Sequence, residues 1–311
     1  MRDIKDDHLN RPSAREDLEH ARDVVPSPQS QAASYRLAFA DPDFLLREEL
    51  RPVRLQLELL KPELELQAMG VESTVVVYGS ARIGDPEEAR AALASAEAAA
   101  AGDPENPARR HEVERCRRAV ARSRYYDEAR RFGRLVSEHA QSGPVRQFVV
   151  VTGGGPGIME AANRGAAETG SVTIGLNITL PHEQAPNRWV TPELSFQFHY
   201  FALRKMHFLM RARALVVFPG GFGTLDELFE SLCLMQTQKV RKIPVLLFDR
   251  DYWERIVDFD ALLDEEVVSA DDLELFSFVD TAEEAWRRIQ EHYGLVPEAT
   301  GDVDQPSESA V

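Results

Sequence analysis

The chain has 311 residues, 52 acidic and 36 basic, for a formal net charge of −16, and 43% of it is hydrophobic. That length suits one large domain or two modest ones, and that much apolar residue excludes wholesale disorder. The acidic balance argues against nucleic-acid polymers and anionic membrane surfaces, which both call for a basic footprint. Cys116 and Cys233 are too few for a disulfide framework or a four-thiolate zinc site. The start of the chain is charged from its second residue, and apolar runs such as Val75–Val77 and Ala214–Phe218 are only strand-sized. The expectation is a cytoplasmic protein with reduced cysteines and no membrane partner.

Residues 1–34 are polar, carry Pro12, Pro26 and Pro28, and lack sustained periodicity, which predicts a loosely ordered leader. From Tyr35 to Met69 apolar residues recur near helical spacing, punctuated by Pro42, Pro52 and Pro62. Two or three short peripheral helices are expected there. Residues 1–72 are therefore read as leader and outer helices.

From 73 onward the pattern alternates. TVVVY (74–78) predicts a buried strand that ends in Gly79-Ser80. Residues 85–140 are rich in Ala, Arg and Glu and broken at Asp103-Pro104 and Asn106-Pro107. They predict two helical stretches around a turn, with an insertion at about 85–125. Further strands are expected at 148–152, 172–176, 214–218 and 243–248, with a short edge strand at 276–279. The helices between them are expected at about 158–169, 201–213, 224–238, 251–259 and 282–293. Such alternation predicts an α/β fold, a Rossmann-like doubly wound parallel sheet over residues 73–295. Residues 296–311 read as a disordered acidic tail.

Two strands run into glycine clusters that open helices, VVVTGGGPGIMEAANRG (149–165) and ALVVFPGGFGTLDELFE (214–230). Glycines let the backbone approach a ligand closely, and the free N–H groups of a helix's first turn face an anion. Candidate nucleotide-binding residues are thus Gly79, Ser80, Gly153, Gly154, Gly155, Gly157, Gly220, Gly221, Gly223 and Thr224. Thr224 is expected at the helix N-cap. The spacing fits neither the dinucleotide fingerprint nor a Walker loop, so a single phosphate, as in a mononucleotide, is the anion expected.

The segment between the loops holds Asn177, His182, Glu183, Asn187 and the aromatics Phe196, Phe198, Tyr200 and Phe201, then Arg204-Lys205. Asn177, Glu183 and Lys205 are candidates for base or ribose binding, while each aromatic could equally be core. Glu227, three residues past Thr224, could back-bond the helix cap as a capping box or stand beside a bound sugar phosphate. No metal is called for, since the eight histidines include no HxxxH pair, and no cofactor is expected.

PGGFGTLDE (219–227) resembles the PGGxGTxxE motif of the LONELY GUY (LOG) family, whose members once bore the label of possible lysine decarboxylases. Arg204-Lys205 within LRKMHFLM and the TGGGPGIMEAANRGA stretch (152–166) are similar to that family's other motifs. Glu160 replaces the usual Gly after Met. The resemblance spans about residues 73–260. It implies a homodimer or higher homo-oligomer of Rossmann-like fold that hydrolyses the N-glycosidic bond of a nucleoside 5′-monophosphate. The products are free base and ribose 5-phosphate; the substrate is AMP or a related purine nucleotide, or a cytokinin ribotide. It puts the catalytic residues at Arg204 and Glu227. The long N-terminal region and the 85–125 insertion look like the longer bacterial branch. No lysine stands in a recognisable pyridoxal-phosphate setting. The competing class is a non-catalytic nucleotide sensor or carrier on the same scaffold.

The charge is unevenly spread. Residues 258–284 hold eleven acids and no Lys or Arg, whereas 143–213 hold seven basic residues against four acidic. The mildly basic segment suits one phosphate.

Overall fold

Ser13 Oγ accepts from the Glu16 amide, and the Glu16 carboxylate accepts from the Ser13 amide at 2.7 Å. This capping box starts helix α1 (Ala14–Arg22) inside the segment expected to be irregular. The sequence signal was the Ser-x-x-Glu spacing, which outweighs the weak apolar pattern. The computed structural model describes residues 12–141, 145–180 and 185–295. The chain divides into two units, one ending at Leu60 and the other beginning at Lys61. The first also contains α2 (Pro42–Leu45), capped by Asp41, and the start of α3 (Arg51–Ala68).

The second unit takes in the rest of α3, then β1 (Thr74–Tyr78) and three helices, α4 (Pro86–Ala101), α5 (Pro107–Arg122) and α6 (Arg124–Ala140). Two stretches were expected over 85–140. The break between α5 and α6 is Ser123 alone, with no Gly or Pro to mark it. The chain continues through β2 (Val149–Thr152), α7 (Ile158–Ala167), β3 (Ile174–Ile178), β4 (Ser195–Phe198) and α8 (Phe201–Met210). Next come β5 (Ala212–Val217), α9 (Phe222–Gln236), β6 (Val245–Phe248) and α10 (Arg250–Ile256). Last are α11 (Phe259–Asp264), α12 (Ala270–Leu273), β7 (Ser277–Val279) and α13 (Ala282–His292).

Among the described residues the seven strands all run parallel, in the order β4-β3-β2-β1-β5-β6-β7. The sheet is an α/β doubly wound Rossmann-like fold, as the alternation predicts. Successive strand residues face opposite sides. Val75, Val77, Val150 and Val216 pack beneath Phe132 and Trp286 of α6 and α13. Val76, Val151, Leu215 and Val217 meet Phe208, Leu228 and Trp253 of α8, α9 and α10.

The strand missed by sequence is β4. Its SFQF is short and lacks β-branched residues, yet Phe196 and Phe198 point into the core while Gln197 is exposed. Those two aromatics are core residues and not base-recognition groups. The strand order reverses between β1 and β5, and Val77 pairs with Val216 there. The carboxyl ends of those two strands are where such sheets open a crevice for ligands.

Candidate active site

At that crevice the backbone turns are tied together. Phe218 N–H donates to Tyr78 O at 2.9 Å, and Ser80 N–H donates to Pro219 O at 3.1 Å. Above them lies a cleft of about 910 Å³ lined by Gly79, Ser80, Gly220, Gly221, Gly223, Thr224, Arg204 and Glu227. Helix α9 begins at Phe222 with Gly221 as N-cap, so Thr224 is the third helical residue and not the cap. Gly220 makes this possible, because a Cβ there would lie 2.1 Å from Thr224 Oγ1. The first-turn N–H groups of α9 have no intrahelical partners and open onto the cleft, where helix geometry favours an anion. The Tyr252 hydroxyl, from α10, donates to Gly220 O at 2.7 Å and steadies this loop.

With the helix starting earlier, Glu227 moves to the second turn and is no longer placed to close a capping box. It faces Arg204 instead, with Oε1 3.7 Å from Arg204 Nη1. The two side chains are only 14% and 12% exposed. Burial pushes the Glu227 carboxyl up to about 7, against the opposing pull of Arg204. Beneath them the Tyr78 phenol is held well above its ordinary value, by burial and then by the charge of Glu227.

Arg204 is fixed from three sides. Its Nε donates to Leu176 O at 2.8 Å, its guanidinium lies over the Phe208 ring at 5.3 Å, and its Nη2 abuts Gly153. A Cβ on Gly153 would stand 2.7 Å from that nitrogen.

The glycines of the first loop do not wall the cleft. Gly154 N–H donates to Thr152 Oγ1, and Gly157, at φ +73°, lies so near Ser80 that a Cβ would meet its carbonyl at 2.4 Å. Gly155 O accepts from Asn187 Nδ2 at 3.0 Å. Asn187 also donates to Asn163 Oδ1, and Asn163 bonds Thr152 and Thr173, making a buried polar frame behind the loop. Asn177 belongs to the same frame, packed against Gly154 with Nδ2 3.3 Å from Phe196 O.

Lys205 pairs with Asp226 at 2.8 Å and Glu230 at 3.0 Å, joining α8 to α9. His182 and Glu183 lie outside the described residues. Sequence reading missed Arg82, Met159, Arg115, Arg122 and Tyr252, which also line the cleft.

Residues 159–289 match the family model described as "Possible lysine decarboxylase", the older label of the LONELY GUY family. The matched stretch takes in Arg204, the second glycine loop and Glu227, and begins just past Gly157. No curated protein matches the chain significantly. Among solved structures it is similar to the molybdenum cofactor binding protein from the phototrophic bacterium Rippkaea orientalis. Identity there is 18%, over 71% of this chain and 98% of that one, with a TM-score of 0.43. It is also similar to the Moco carrier protein from Chlamydomonas reinhardtii, with 17% identity over 72% of this chain and 99% of that one and a TM-score of 0.42. Likeness at that level carries neither ligand nor activity to this chain.

Proposed function

We propose that the cleft hydrolyses the N-glycosidic bond of a nucleoside 5′-monophosphate, giving free base and ribose 5-phosphate. The observation that supports this reading best is the buried Arg204–Glu227 pair standing beside the Gly220–Thr224 loop at the strand-order reversal. The N–H groups of the first turn of α9 hold the 5′-phosphate. The first glycine loop acts from behind, seating Arg204 and not touching the ligand.

Breaking the C1′–N bond sends the electron pair to the base and builds positive charge on the ribose. Glu227, as carboxylate, faces that charge and takes a proton from the attacking water; Arg204 orients the nucleotide. A carboxyl that titrates near 7 is poised for this exchange at neutral pH. A pyridoxal-phosphate decarboxylase would hold its cofactor through a lysine at the centre. Among the described residues no lysine lines the cleft, and Lys205 is occupied by two carboxylates.

AMP or another purine nucleotide is the proposed substrate, with a cytokinin ribotide as the further variant. Exposed Phe201, Met206, Met210 and Phe229 on α8 and α9 supply a face for a homo-oligomer. Among the described residues no helix is long and apolar enough to cross a membrane. The test is incubation with a panel of nucleoside monophosphates and chromatography for free base and ribose 5-phosphate. Base release from at least one is expected. Tight nucleotide binding without base release from any would replace this reading with that of a non-catalytic carrier.

A further inference from the structure

The cleft has a second wall that the monophosphate reading does not use. Helix α5 of the insertion presents Arg115, Ala119 and Arg122 to it, spaced i, i+4, i+7 and so on one face. Val113 and Cys116 on the neighbouring face pack on Ala96 and Leu93 of α4, which fixes how the helix is turned. Arg82, just past β1, lines the same cleft. With Arg204, four arginines stand against one carboxylate, Glu227, in a chain of net charge −16.

Other arginines of the insertion have structural partners. Arg117 pairs with Glu97 and Glu114, and Arg110 donates to Glu105 O. Arg82 and Arg122 make no ion pair among the described residues. Arg115 is forked by Glu112 through Nε and Nη2 at 2.7 and 2.5 Å. Two of its five N–H donors are thereby used, which orients the guanidinium and leaves the others for a ligand. A cleft of about 910 Å³ also lies near the upper end of small-ligand sites, which run from about 300 to 1,000 Å³.

We propose that Arg82, Arg115 and Arg122 form a second anion subsite, and that the cleft takes a nucleotide bearing a second phosphoryl group. This rests on the nucleotide reading above and adds the substrate class. The first phosphate sits at the α9 loop, and the second meets the arginine face of α5. Guanidinium forks suit phosphate oxygens, and three exposed guanidiniums on one wall of the cleft present donors to them.

The test is equilibrium dialysis of AMP, ADP and adenosine 3′,5′-bisphosphate with the full chain carrying Glu227→Gln, so that bound nucleotide persists. The same chain with Arg115→Ala and Arg122→Ala added is the comparison, its fold checked by circular dichroism. At least one doubly phosphorylated nucleotide is expected to bind about tenfold tighter than AMP, and the added substitutions to erase that gap with AMP affinity unchanged. A gain confined to ADP places the second phosphate on the 5′ side; a gain confined to the bisphosphate places it on the 3′ side. Equal affinities for all three, or a gap that survives the arginine substitutions, overturn the subsite and leave the monophosphate reading standing. Absence of binding by all three overturns both.

Discussion

Arg204 Nη1 and Glu227 Oε1 face each other at 3.7 Å from adjacent helices, both nearly buried, yet too far apart for a direct hydrogen bond. Removing two charges from water is costly, and a pair that stops short of bonding recovers little of that cost. As a stabilising device it is poor. As a site whose donors and acceptor converge on a third group, it is well arranged, because Leu176 O, Phe208 and Gly153 hold the guanidinium without Glu227.

Replacing either member should therefore remove activity and spare the fold. Glu227→Gln and Arg204→Ala are each expected to lower base release by about 10²-fold or more, the scale of a lost acid–base group. Circular dichroism should show folded protein in both. Turnover near the wild-type rate in either variant would move the chemistry to another residue.

The rate should depend on pH through Glu227. If the ionised carboxylate is the working form, kcat/KM rises with pH and levels off above about 7, where burial sets its titration. Arg204 lowers that value, so Arg204→Lys, which keeps the charge on a different geometry, should retain an ascending limb in whatever activity remains. A flat profile between pH 5.5 and 8.5 would assign the proton to a different group (the range is roughly that over which a value near 7 is visible).

Stability should show the same carboxyl with the opposite slope. In the unfolded chain a glutamate titrates near 4.5, whereas buried Glu227 titrates at about 7. Between those values the folded state holds the extra proton. The stability it supplies is complete below pH 4.5 and is lost as pH climbs through 7. Glu227→Gln should then gain on the wild type by about 1–3 kcal/mol at pH 8 and by little at pH 4.5. The buried Arg204 left without its counter-charge subtracts from the gain. Equal melting temperatures of the two proteins across that span would show that the carboxyl is not buried in solution.

The phosphate loop carries its own consequence. Binding energy from the 5′-phosphate positions the reacting bond, so adenosine should fall below AMP in kcat/KM by about 10²-fold or more. Parallel assays for free adenine measure it. Comparable turnover of the two would detach the Gly220–Thr224 loop from substrate recognition.

The parts of this architecture legible in the sequence are those with a local cause. β-branched runs such as TVVVY mark the central strands, and PGGFGTLDE marks the loop that lines the cleft. What escaped depends on distant partners. β4 is a strand because β3 pairs with it at Leu176–Phe196 and Ile178–Phe198, not because SFQF favours extension. Gly154 and Gly157 resemble ligand glycines in spacing, but their reasons are Asn177 and Ser80, which only the folded chain brings near. Arg115 and Arg122 show helical spacing in the sequence, yet nothing local says that α5 turns that face toward β1 and α9.

The two kinds of glycine in the first loop can be separated by experiment. At Gly157 the backbone is left-handed, and a Cβ would meet the fixed carbonyl of Ser80 at 2.4 Å. Gly157→Ala should destabilise the protein by about 1–3 kcal/mol through strain and a shifted β1 turn. At Gly153 the added Cβ would meet only flexible ends, Arg204 Nη2 at 2.7 Å and Met159 Sδ at 2.9 Å. Those ends can move, so Gly153→Ala should melt close to the wild type while Arg204 is displaced from Glu227 and base release falls by about tenfold or more. A Gly153→Ala variant with full activity would mean that Arg204 does not need its seat against the first loop. One that loses stability as severely as Gly157→Ala would make both glycines structural.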